Sequence, residues 1–168
     1  MKEYKLYIDG KYVSSSAGTI VDSINPADGS VFAKVHMASK EDIELAIASA
    51  HKAQKLWAKT TPREKEAVLL RAAEIFERRA DDIRDILMRE SGSMIAKCNF
   101  EISVVSDIFR VAAGEARRVT GQTFVSNDDG VFSYVIRRPR GVIAGISPFN
   151  APMILSSKKI CLCHSGGK

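Results

Sequence analysis

From Ser39 to Gly121 the apolar residues recur at helical spacing, and on either side of that block they do not. This change of period, strand to helix and back to strand, limits the fold more than any other feature of the chain. Ser39-Lys40-Glu41-Asp42 reads as a capping box with an acid at the third helical position. Ile43, Ala46, Ile47, Ala50, Ala53, Gln54 and Trp57 follow at helical spacing and predict one buried face. Thr61-Pro62-Arg63-Glu64 opens a second helix, with Thr as cap and Pro in the first turn. That helix carries a stripe of Leu69, Ala72, Ala73, Ile75 and Phe76. Asp81 and Asp82 suit a fresh first turn, and Gly92 suits a left-handed stop. The pattern resumes from Met94 to Val119 and ends at Gly121.

Before this block, Lys5 to Val13 predicts a β-hairpin, with Asp9-Gly10 filling the two positive-φ positions of a type I′ turn. TIVDSI and VFAKVHM predict two further strands around the turn NPADGS. After the block, NDDG predicts a turn and VFSYVIRR an alternating strand. GVIAGI does not alternate, which predicts a strand covered on both faces, as in a parallel sheet. MILSSKKI predicts a helix after Pro152, and the class is mixed α/β.

At 168 residues the chain is long enough for a substantial core. Its charge of 25 − 20 = +5 is not gathered in a stripe, so no nucleic-acid partner is expected. No segment is long and apolar enough for a membrane span, and the start lacks an apolar export signal. Three sparse cysteines argue against a disulfide framework and point to a reducing, cytoplasmic setting. His36 and His51 sit in element patterns and read as structural or exposed. Cys161, Cys163 and His164 supply three of the four ligands that a zinc site needs, so no metal is expected; CLCHSGGK reads as a frayed end.

Asn150 is the residue that chemistry singles out. It stands between Pro148 and Pro152 at the end of the apolar run. The residues alone leave two readings open. It is either a turn residue, or a carboxamide donor held where open α/β sheets place ligands, positioned to stabilise an oxyanion.

GVIAGISPFNAPMIL resembles the strand-and-loop signature of the aldehyde dehydrogenase superfamily. YIDGKYV, SINPADGSVFAKV, WAKTTPREKEAVLLRAAEIFERRADDI and GEARRVTGQTF resemble its landmarks in the same order, from Lys5 to Ile160. The resemblance implies NAD- or NADP-dependent oxidation of an aldehyde to a carboxylic acid through a Cys thiohemiacetal. It implies Asn150 as oxyanion donor, Ile146, Ser147, Pro148 and Phe149 against the cofactor, and Ala151 and Leu155 toward the substrate. It divides the chain into hairpins and helices of the cofactor-binding domain (1–120), an oligomerisation β-arm (121–139), the first strand and catalytic-Asn loop (140–160) and an aberrant, frame-shifted tail (161–168).

The family's catalytic Cys and Glu have no counterpart here. The expectation is therefore a truncated enzyme, inactive alone and prone to self-association. The alternative is a non-catalytic module that docks onto full-length subunits.

Overall fold

The computed structural model describes residues 1–165, apart from the His164 side chain. Gly166 to Lys168, part of the expected frayed end, and the His164 side chain weighed as a zinc ligand lie outside the described residues. The elements run β1 (Lys2–Tyr4), β2 (Leu6–Ile8), β3 (Lys11–Val13), β4 (Ile20–Ile24), β5 (Val31–His36), α1 (Lys40–Trp57), α2 (Pro62–Arg78), α3 (Ala80–Ser91), α4 (Ile95–Ala116), β6 (Gln122–Phe124), β7 (Ser133–Val135) and α5 (Pro152–Ser165).

The local signals act where the sequence puts them. Asp9 and Gly10 take φ of 52° and 75°, and β2 pairs antiparallel with β3 across that turn. Ser39 caps α1 with Asp42 reciprocating, and Thr61 caps α2 with Glu64 reciprocating. Both Asp42 and Glu64 are thereby held below the usual carboxylate range, Asp42 chiefly by the Ser39 N–H and Glu64 by the Thr61 side chain. Gly92 ends α3 in the left-handed region. β4 and β5 form the second hairpin, with a bulge at Ser23 and Ile24. β1 adds in parallel to β5, Lys2 beside Ala33 and Tyr4 beside Val35, a pairing the sequence did not announce. His36 is buried and structural: its Nδ1 accepts from the Ser15 N–H at 3.1 Å, and its Nε2 meets Glu3 Oε1 at 2.5 Å.

The core lies among α2, α4 and α5. Leu69 and Ala73 of α2 meet Val105, Phe109, Ala112 and Ala113 of α4, and Ile154 and Cys161 of α5 close the cluster. Phe76 stacks on Phe109 with ring centroids 5.2 Å apart.

Three expectations change. The α1 stripe is helical but not buried: Ile43 and Ile47 are about half exposed, and Asp42 is the buried residue of this helix. Its main neighbour is the short strand β2, which is too small to cover a face of that length. GVIAGI forms no strand. A central parallel strand is held by hydrogen bonds to its neighbours, and among the described residues none flanks 141–146. Finally, residues 161–165 are not frayed. They continue α5, because Cys161 is small and apolar enough to fill the space between α2 and α4. Among the described residues no helix is long and apolar enough to cross a membrane.

Candidate functional site

The segment from Gly145 to Pro152 emerges from the unpaired run, turns at Phe149 to Ala151 and enters α5 at Pro152. Ile146 and Phe149 are 88% and 89% exposed, and Ser147 and Pro148 are exposed beside them. Asn150 is exposed and lines a cleft of about 640 Å³ with Phe149, Pro152, Ile24, Pro26, the α3 end at Glu90 to Gly92, and Ser93, Met94 and Lys97. Ile146, Ser147 and Pro148 do not line this cleft, and neither do Ala151 or Leu155. Ala151 packs against the core cluster, and Leu155 is half-buried in the first turn of α5.

The cleft wall on the α4 side is polar. Lys97 Nζ donates to Ser93 Oγ at 2.9 Å and to Glu101 Oε1 at 2.5 Å. Glu101 is 1% exposed, and its other oxygen accepts the Met153 N–H at 3.2 Å. Neither Lys97 nor Glu101 was singled out from sequence. A signal existed: Glu101 lies three residues after Cys98 and four before Val105, on the buried face of an apolar helix.

No thiol lines the cleft at Asn150. Cys98 and Cys161 are buried; burial raises the Cys98 thiol and pushes Cys161 up to about 11. Cys163 is exposed and lines a separate cleft with Trp57, Arg138 and Arg140. Among the described residues no cluster of three or more His, Cys, Asp or Glu is arranged to hold a metal ion.

The sequence model of the aldehyde dehydrogenase family matches residues 12–167. The chain belongs to the aldehyde dehydrogenase family. A vanillin dehydrogenase of Corynebacterium glutamicum is 38% identical over 93% of this chain and 32% of its own length. The crystal structure of an NAD-dependent benzaldehyde dehydrogenase from the same organism superposes with a TM-score of 0.92 at 37% identity, over 97% of this chain and 36% of its own. An NAD-dependent aldehyde dehydrogenase from Sinorhizobium meliloti superposes with a TM-score of 0.93 at 30% identity, over 99% and 34%.

The chain thus spans about a third of the length of the relatives it matches. In this aldehyde dehydrogenase chain the mixed α/β architecture is that of the N-terminal part of the family fold. Its structural neighbours include enzymes described as NAD-dependent and one described as NADP-dependent.

Proposed function

We propose that these residues form the oxyanion-donor portion of an NAD(P)-dependent aldehyde oxidation, with Asn150 as the donor. The supporting observation is the position of Asn150: exposed at the mouth of a cleft, in the turn where α5 begins. An aldehyde carbonyl attacked by a thiolate develops negative charge on oxygen. A carboxamide N–H fixed at that point stabilises the charge, and one such donor is worth about 2.7–4 kcal/mol.

The nicotinamide cofactor supplies hydride acceptance when bound. The residues present fit one side of it. Ile146 and Phe149 offer exposed apolar surface of the kind a planar ring covers, with Ser147 and Pro148 between them. Ala151 and Leu155 are assigned to the substrate side. On this reading 1–120 carries the hairpins and helices of the cofactor-binding domain, 121–139 the arm and 140–160 the catalytic loop, in a cytoplasmic enzyme. Cys98 and Cys161 are buried with raised thiols, and neither they nor the exposed Cys163 lines the cleft at Asn150. On this reading the 168 residues by themselves do not turn over.

A chimera tests both parts. Residues 12–160 replace their counterpart in the C. glutamicum vanillin dehydrogenase, and turnover of vanillin and benzaldehyde is followed with NAD and NADP. The chimera is expected to work and Asn150→Ala to lower its kcat by about 100- to 1,000-fold. The 168-residue chain alone is expected to give no turnover. An Asn150→Ala chimera as fast as its parent would refute the donor role.

A second reading is favoured by the hairpin of β6 and β7. Val125 is 99% exposed, and Phe132 and Tyr134 stand largely exposed beside it. We infer that this arm docks the chain onto another family subunit.

A further inference from the structure

We infer that Glu101 is a positioning residue for the Asn150 carboxamide, acting through the start of α5 and together with Lys97. This rests on the donor reading of Asn150.

Helix α5 has no side-chain cap at its own cap residue. Ala151 accepts the first intrahelical bond, from the Leu155 N–H at 3.1 Å, and so occupies the cap position. An alanine side chain accepts nothing. Pro152 has no N–H, so the first amide that needs a partner is that of Met153. Its partner comes from a different helix, 52 residues earlier: Glu101 Oε2 accepts it at 3.2 Å. A carboxylate at this end also meets the positive pole of α5.

A buried carboxylate is costly unless its oxygens are satisfied. The second oxygen of Glu101 takes the Lys97 ammonium at 2.5 Å, one turn back on α4, and Lys97 is anchored in turn on Ser93. Lys97 and Ser93 line the same cleft as Asn150. One buried carboxylate therefore ties two sides of that cleft together. On one side is the α4 wall. On the other is the backbone three residues beyond Asn150. The N-terminal flank of the turn gives little other restraint, since Ile146 to Phe149 are exposed; on the other flank Ala151 and Met153 pack against the core cluster, which holds the helix but not the direction of the carboxamide. Without the tie, the Met153 amide loses its partner and the carboxamide samples more directions. A donor gains its value from being aimed before charge develops, so losing the aim acts on the reaction rather than on folding.

The test uses the intact 168-residue chain, ¹⁵N-labelled, as wild type, Glu101→Gln and Lys97→Met. Glu101→Gln keeps size and shape but weakens both interactions. It is expected to speed hydrogen exchange of the Met153 amide about tenfold or more and to shift the Asn150 side-chain NH₂ resonances. The amides of Val105 and Ala112 in α4 are expected to keep their protection. Lys97→Met is expected to give a smaller shift of the Asn150 signal in the same direction.

Unchanged Met153 exchange in Glu101→Gln would overturn the cap. Faster Met153 exchange with an unmoved Asn150 signal would overturn the positioning role. If Glu101→Gln does not fold, Lys97→Met decides: a shifted Asn150 signal supports the inference and an unmoved one overturns it. In the chimera, Glu101→Gln is expected to lower kcat with KM unchanged. If Asn150→Ala leaves the chimera's rate intact, the donor reading falls while the resonance results stand by themselves.

Discussion

Cys161 has a fully buried thiol in a cluster of Leu69, Ala73, Val105 and Phe109, and that setting decides its chemistry. Thiolates need solvation or a nearby cation, and this site offers apolar contacts instead, so the proton stays on up to about pH 11. Cys98 is raised chiefly by burial, with Lys97 opposing and Glu101 adding to the rise, and its thiol donates toward the Ser93 carbonyl at 3.7 Å. Cys163, two residues after Cys161, faces outward. The three thiols should therefore separate by exposure. With an aromatic disulfide reagent at pH 8, the native chain is expected to release one equivalent rapidly, from Cys163. The remaining two are expected to react only when denaturant is added. A second rapid equivalent, from Cys161, would mean that α5 does not hold its place against α2 and α4, and a third, from Cys98, that the first turn of α4 opens as well.

At the level of elements, what the sequence announced was local. Asp9-Gly10, the boxes at Ser39 and Thr61, and Gly92 each act within a few residues, and each sits in the conformation expected of it. What it concealed depends on distant partners. The α1 stripe has the right period, yet burial needs an opposing surface that β2 is too short to provide. GVIAGI has the composition of a covered strand, but a ladder needs neighbours. Glu101 looks like any charged helical residue until Met153 is brought to it. Asn150 was legible as a candidate because its two prolines are adjacent in sequence; the cleft wall built from α3 and α4 was not.

Gly92 joins the two kinds of information. Its φ of +63° ends α3, and a Cβ there would stand 2.8 Å from Pro26 Cγ in the β4–β5 turn. Gly92→Ala is thus expected to cost about 1–2 kcal/mol from the backbone alone, and more if Pro26 cannot move. Urea unfolding followed by circular dichroism measures it. A variant as stable as wild type would show that the turn and helix end do not press together.

Across the whole molecule, the apolar surface is divided unevenly. One cluster among α2, α4 and α5 is well buried, while the outer face of α1, the β6–β7 arm and the run to Phe149 carry large exposed side chains. Scattered exposed apolar residues are ordinary, but contiguous ones are associated with interfaces. The arm is the most concentrated case. Phe132 and Tyr134 have ring centroids 5.8 Å apart, and Val125 and Ile136 stand exposed nearby in sequence. Among the described residues β6 and β7 pair only with each other, so each also offers a backbone edge to another chain.

The expected outcome is concentration-dependent association of the purified chain, seen by sedimentation velocity. Val125→Asp with Phe132→Ser should weaken it while leaving the helical signal unchanged, because neither residue belongs to the core cluster. Mixing with the C. glutamicum vanillin dehydrogenase distinguishes self-pairing from docking onto a family subunit. A mixed species that the double substitution abolishes supports docking through the arm. A chain that sediments as one dilution-independent monomer, with or without the substitutions, would mean that these side chains are exposed without serving as an interface.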